Sequence, residues 1–318
     1  MIAFVFPGQG SQAVGMGKAL AGACPEARAT FDEADAALGW RLSDVIFDGP
    51  ADQLMLTEIT QPAILTASIA AWRVLDARGF RPDVVAGHSL GEYSAHVAAG
   101  TLEFADAVRL VHHRGQYMQE AVPVGHGAMA AILGLDEDAV RAACLDGAEG
   151  EVVSPANLNA PGQVVIAGTA AAVARAGERA KGRGAKRVIA LQVSAPFHCA
   201  LMAPAGARLA PELQAVPTRD PRVPVVANVD AEPKRDAAAS IAALIQQVSA
   251  PVRWEAIVRR LASDGVTAYV EVGPGTVLGG LIKKVAREAI VLNVDQPASL
   301  PAVAALFAAR DPRTSEQP

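Results

Sequence analysis

Gly87-His88-Ser89-Leu90-Gly91 sets a serine hydroxyl between two glycines in the pattern Gly-x-Ser-x-Gly. Before it, Asp83 to Ala86 is a short apolar run that reads as a buried strand. After it, Glu92 to Ala99 reads as a helix ending at Gly100. A serine at such a strand-to-helix turn is held in a strained conformation, and small residues two places away on either side keep the turn free of collisions. The hydroxyl then stands at the carboxyl end of a sheet, next to helix N–H groups that can receive developing negative charge. The pentapeptide alone is a loose pattern in a glycine-rich chain. Its flanking elements make Ser89 a candidate nucleophile.

A serine nucleophile needs a base. Of six histidines, His198 in Val193-Ser194-Ala195-Pro196-Phe197-His198 is the best placed, because it sits between a predicted strand and a predicted helix. His96, His112, His113 and His126 have helical or surface contexts. His88 adjoins the serine, but neighbouring side chains diverge on such a turn. Cys199 reads as a small buried residue rather than a nucleophile. The imidazole works as a base only if its second nitrogen is held by an acceptor. No acid between Ser89 and His198 has a strand-end position, so a glutamine or a backbone carbonyl is the alternative holder.

Gly8-Gln9-Gly10-Ser11-Gln12-Ala13 formally fits a dinucleotide fingerprint, yet the following stretch from Met16 to Leu38 reads as helix throughout and leaves no second strand. A glycine turn offering a backbone N–H beside the elbow fits better, so the N–H groups of Gln9 and Leu90 are expected to form an oxyanion hole. Arg114 lies in a mainly helical run. If buried opposite the nucleophile, its planar fork would bind a substrate carboxylate through two hydrogen bonds.

These groups must be positioned by larger elements. Ile2 to Phe6 is a first strand, and an α/β texture resumes from Ala203 through the strand Ala268 to Val272, the turn Gly273-Pro274-Gly275 and a last helix, Leu278 to Ala286. Between them, residues 125–192 read as β-α-β-β-α-β, with a helix from Asp136 to Asp146 opening on an acidic cap. The expectation is an α/β chain: a parallel-sheet core over 1–124 and 193–310, an inserted ferredoxin-like small subdomain over 125–192, and a disordered polar tail over 311–318.

Composition narrows the function. Apolar residues make up 51% of 318 residues, enough for a large core, and the net charge of −5 argues against a nucleic-acid partner. The first residues lack the basic lead of a signal peptide, and no apolar run is long enough to cross a bilayer. Three scattered cysteines have no metal-ligand spacing and suggest a reducing compartment. A cytoplasmic protein without metal or membrane contact is expected.

Taken together, Phe6-Pro7-Gly8-Gln9-Gly10-Ser11-Gln12, Thr60-Gln61-Pro62-Ala63, the elbow with Glu92-Tyr93, Asn157-Leu158-Asn159-Ala160-Pro161-Gly162-Gln163, Pro196-Phe197-His198-Cys199, Gln247-Val248-Ser249-Ala250-Pro251 and Glu271-Val272-Gly273-Pro274-Gly275 resemble the malonyl-coenzyme A:acyl carrier protein transacylases of fatty acid synthesis. The match runs nearly end to end. The resemblance implies an α/β-hydrolase-like core with a ferredoxin-like lobe and a ping-pong transfer of malonyl through Ser89, with His198 as base and acid. It implies that a carbonyl of Gln247 orients His198, that Gln9 and Leu90 hold the oxyanion, and that Arg114 pairs with the malonyl carboxylate. Met118, Phe197, Asn159 and Gln9 would also contact substrate, Phe197 by crowding an α-substituent or simply as core. No cofactor is implied: malonyl-CoA is substrate, and phosphopantetheine arrives on an acidic carrier protein. Lys186, Arg187 and Lys283, with Lys181, Arg183 and Lys284 nearby, are the candidate docking residues of an expected monomer. The acyltransferase of a polyketide synthase or malonate decarboxylase system would keep every residue named. A serine esterase would instead require an acidic triad member.

Overall fold

The computed structural model describes residues 1–310; the tail over 311–318, expected to be disordered, lies outside the described residues. Ten strands form two sheets among the described residues: β1 (Ile2–Phe6), β2 (Val84–Gly87), β3 (Gly127–Leu133), β4 (Val153–Ala160), β5 (Gln163–Thr169), β6 (Arg187–Ala190), β7 (Val225–Val226), β8 (Pro233–Lys234), β9 (Ala268–Val272) and β10 (Ile290–Val294). The larger sheet has the order β10-β9-β1-β2-β7-β8. It is parallel except where β8 folds back on β7. β1, β2 and β9 are buried at every position, as strands covered by helices on both faces must be. Phe4 and Phe6 point into the core under the helices Pro25–Leu38, Thr57–Ala77 and Phe104–Glu120. Ala3 and Val5 point to the opposite core, with Tyr269, Trp254 and Ile282.

The smaller sheet is antiparallel in the order β4-β5-β3-β6, with the helices Glu137–Ala148 and Ala170–Gly182 packed on it over a separate core. This is the ferredoxin-like arrangement. Asp136 caps the first of these helices by accepting from the Ala139 N–H, as its acidic position predicted. The two units are joined where Leu158 N–H donates to Val252 O and Val252 N–H to Ala156 O.

The single helix expected from Met16 to Leu38 is two, Lys18–Ala23 and Pro25–Leu38. Cys24 between them is extended, because the ring of Pro25 disfavours a helical residue before it. Pro62 inside Thr57–Ala77 has the opposite outcome, and the helix continues past it. The missing N–H leaves the Glu58 carbonyl unclaimed four residues back, and His112 Nδ1 takes that carbonyl at 2.8 Å.

Candidate active site

The ends of the parallel strands bring the site together. Ser89 follows β2, Gln9 follows β1 and Asn228 follows β7, all on the carboxyl edge of the sheet, where ligands collect in open α/β folds. Ser89 has φ 52° and ψ −110°, and His198 has φ 61°. Each such backbone costs roughly 1–3 kcal/mol and persists only where its surroundings hold it. The elbow glycines are required by contact: a Cβ on Gly87 would lie 1.9 Å from the Gly91 carbonyl, and one on Gly91 2.0 Å from Phe6 O. Asn228 clasps the turn from the side. Its Oδ1 accepts from Ser89 N–H at 2.7 Å, and its Nδ2 donates to Gly87 O at 2.7 Å.

Ser89 Oγ lies 2.6 Å from His198 Nε2. On the other side of the ring, Nδ1 donates to the backbone carbonyl of Gln247 at 3.0 Å, which makes Nε2 the acceptor nitrogen. Gln247 is the last residue of the helix Ala237–Gln247, so its carbonyl is one of those a helix leaves unpaired, at the negative end of the dipole. A helix end occupies the place of the acid. Burial and the nearby Arg114 charge push the His198 pKa down to about 3, so the ring is neutral. Burial raises the Cys199 thiol to about 11, in keeping with an inert side chain.

Arg114 is 2% exposed and points at the nucleophile. Nη2 donates to Ser89 Oγ at 3.2 Å and to Gln247 Oε1 at 3.0 Å, while Nη1 donates to Gln61 Oε1 at 2.6 Å. Gly115 makes this approach possible: a Cβ there would stand 2.6 Å from Glu58 Cα, so a side chain would push the two helices apart. A cavity of about 120 Å³ joins these groups. Gln9, Gln61, His88, Ser89, Arg114, Met118, Met129, Asn157, Leu191, Val193, Phe197 and His198 line it. Larger open grooves of about 850 and 720 Å³ border the small sheet and contain neither Ser89 nor His198.

The N–H groups of Gln9 and Leu90 have no acceptor among the described residues. Asn159 differs from expectation. Its Oδ1 is held on His88 Nε2 at 2.9 Å, and the β4 asparagine on the cavity wall is Asn157. Of the basic residues, Lys186 and Arg187 are exposed. Lys283 instead curls back to donate to Ala289 O at 2.6 Å, and Lys284 reaches Gln163. Lys181 pairs with Glu178 and Arg183 with Asp146. Asn228, Gln61 and Glu92 were not recognised as site residues. Gln61 and Glu92 lie within quoted motifs, but a polar residue in a helical run has no address until helices pack.

No helix is long and apolar enough to cross a membrane among the described residues, and these hold no cluster of three or more potential metal ligands. Comparison with known proteins matches the acyl transferase domain model over residues 3–305. The malonyl CoA-acyl carrier protein transacylase of Escherichia coli strain K12 is 52% identical over 301 residues, 94% of this chain and 97% of that one. Its counterpart in Bacillus subtilis strain 168 is 51% identical over 300 residues, 94% of this chain and 95% of that one. Among solved structures, an acyl carrier protein S-malonyltransferase from Vibrio cholerae superposes with TM-score 0.93 at 50% identity, covering 95% of this chain and 99% of that one. A malonyl-transacylase solved with a type II polyketide acyl-carrier protein has the same TM-score at 48% identity, covering 95% and 98%. With the family model spanning nearly the whole chain and a strained serine paired to a neutral imidazole at its centre, the chain belongs to the acyl transferase family, in its α/β-hydrolase-like fold.

Proposed function

We propose that this protein moves a malonyl group from malonyl-CoA to the phosphopantetheine thiol of an acyl carrier protein, through a malonyl ester on Ser89, and so supplies fatty acid chain elongation. The observation that carries the reading is the enclosed Arg114 guanidinium, 3.2 Å from the nucleophile and without a directly bonded carboxylate. Relatives of about 50% identity bear that activity in their names.

In the first half-reaction Ser89 Oγ attacks the thioester carbon as its proton passes to His198 Nε2. The Gln247 carbonyl steadies the imidazolium, and the N–H groups of Gln9 and Leu90 receive the oxyanion. Coenzyme A leaves as a thiol with that proton. In the second half, His198 takes the proton of the carrier's thiol, the sulfur attacks the Ser89 ester, and the proton returns to Oγ. Arg114 holds the far carboxylate throughout, Met118 and Phe197 wall the acyl group, and Asn159 acts at one remove by fixing His88. The exchange of thioesters changes no oxidation state, so the reading requires no redox cofactor.

An acidic carrier would meet Lys186 and Arg187, whose side chains are exposed. Lys283 supports docking less well, since its ammonium is engaged by a carbonyl. A monomer remains the proposed working form, and water-soluble thioester substrates support a cytoplasmic setting. A polyketide carrier is the second acceptor to consider, favoured by the similar enzyme solved with one. Mass spectrometry after incubation with malonyl-CoA tests the reading. A malonyl adduct on Ser89 that persists in water and discharges to a carrier protein is expected. An adduct lost to water before any carrier is added would instead indicate an esterase. Reversing Lys186 and Arg187 to Glu should raise KM for the carrier and leave KM for malonyl-CoA alone; no change in either removes the docking surface.

A further inference from the structure

Arg114 is a buried cation whose direct partners are all neutral: Gln61 Oε1, Gln247 Oε1 and Ser89 Oγ, with the Tyr93 ring 5.5 Å away. A buried charge is costly without an opposite charge close by. The orientation of Gln247 shows where that charge lies. Its Oε1 faces Arg114, and its Nε2 donates to Glu92 Oε2 at 2.8 Å, so one amide bridges cation and carboxylate. Glu92 is fully buried, and Oε2 also accepts from Asn228 N–H at 3.0 Å. Oε1 has no hydrogen bond. It faces His96 Nε2 at 4.0 Å, on a ring that is itself unpartnered and held neutral by burial, its pKa pushed down to about 3. The charges acting on Glu92 are Arg114, from the helix Phe104–Glu120, and Asp230, from the turn after β7. Its own helix adds His96 and Tyr93, and the helix Ala237–Gln247 brings only the Gln247 amide.

We infer that Glu92 is the resident counter-charge of Arg114 in the empty enzyme, coupled to it through the Gln247 amide, and that it takes up a proton from solvent when a malonyl carboxylate reaches the guanidinium. The inference rests on the malonyl-transfer reading. An incoming carboxylate bonds Arg114 directly and adds a second negative charge to the same enclosed region. Two carboxylates then share one cation, and the one without direct contact is the one that is neutralised. The proton settles on Oε1, so both hydrogen bonds to Oε2 survive and the only new bond is O–H. Burial has already lifted this carboxyl to about 7, which brings the uptake within reach of neutral pH. An acetyl group carries no carboxylate and draws no proton. Glu92 is thus a positioning residue that acts through Gln247.

The proton count is measurable in a Ser89→Ala variant, which binds thioesters without turning over. Calorimetric titration at pH 8 in two buffers of different ionisation enthalpy should show uptake of about one proton with malonyl-CoA and none with acetyl-CoA. Zero uptake with malonyl-CoA overturns the inference. In the enzyme with Ser89 intact, KM for malonyl-CoA should climb above pH 7 by up to about tenfold per pH unit. Glu92→Gln, permanently neutral, should hold that KM flat. A Glu92 with only a structural role would lower kcat and thermal stability in Glu92→Gln and leave the pH slope of KM untouched, and that result also overturns the inference. If Glu92→Gln does not fold, the proton count decides alone. Failure of the malonyl-transfer reading is distinguishable, because the enzyme would then form no malonyl adduct on Ser89 at any pH.

Discussion

His198 meets Ser89 with one nitrogen and the end of a helix with the other, and both contacts shape its chemistry. A helix terminus carries about half an elementary charge, so it steadies the imidazolium less than a full carboxylate would. Burial and the Arg114 charge outweigh that support and leave the imidazole weakly basic, its pKa pushed down to about 3. The acid limb of kcat/KM for malonyl-CoA should therefore not show His198 titrating near 6.5; a fall of activity centred there would contradict the neutral, buried ring. On the proposed reading, Arg114 sets selectivity at the same scale. Arg114→Ala should lower malonyl transfer on the order of 100-fold, the equivalent of about 3 kcal/mol for hydrogen bonds to a charged group, while relatively sparing acetyl transfer. Rates with each thioester alone check this, and equal losses would refute it.

Strand ends and helices position these residues, and the elbow depends on specific local allowances. The elbow requires Gly91, where a methyl group would press on the Phe6 carbonyl, so Gly91→Ala should fail to fold or should lose most of its thermal stability. Asn228→Ala leaves the elbow space intact but strips Ser89 N–H and Gly87 O of their partners. Unsatisfied buried groups cost roughly 1–3 kcal/mol each, and the loosened turn misplaces Oγ. The expected result is a lower thermal midpoint together with a kcat reduced more than KM is raised. A variant with wild-type kcat would show that the strained turn holds itself.

Across the whole molecule, buried groups tie stability to pH in opposite directions. His96 and His198 are pushed down to about 3, so their contribution is complete above about pH 6.5 and is lost as the pH falls, when the unfolded chain binds protons the folded one cannot. Glu92 and Glu271 are raised to about 7 by burial, so theirs is complete below about 4.5 and is lost as the pH rises through 7. Between pH 4.5 and 6.5 the two sets oppose one another, and His88, also pushed down by burial, sides with the other imidazoles. Below 4.5 the opposing carboxyl contribution is complete, and stability should drop as the buried imidazoles, together with Glu151 held low by Arg175, take up protons. Thermal midpoints from pH 3 to 8 check this; His96→Leu should make the acid slope shallower, and an unchanged slope would remove His96 from the account.

The sequence alone established the parts whose signal is local. The elbow was legible because glycine spacing, a buried strand and a following helix are written in consecutive residues, and the small subdomain because hydrophobic periodicity and the Asp136 cap mark its elements. The resemblance then attached roles to Ser89, His198 and Arg114. What only the tertiary structure decided concerns groups distant in the chain: that the carbonyl by which Gln247 meets His198 is the backbone one while its side chain turns to Arg114 and Glu92, that Asn228 clasps the elbow, and that Asn159 meets His88. The break at Cys24 and the edge strand β10 also escaped the pattern. The reason is physical. Periodicity reports which face of an element is buried, but a hydrogen bond between side chains 25 to 155 positions apart exists only once packing has fixed both partners.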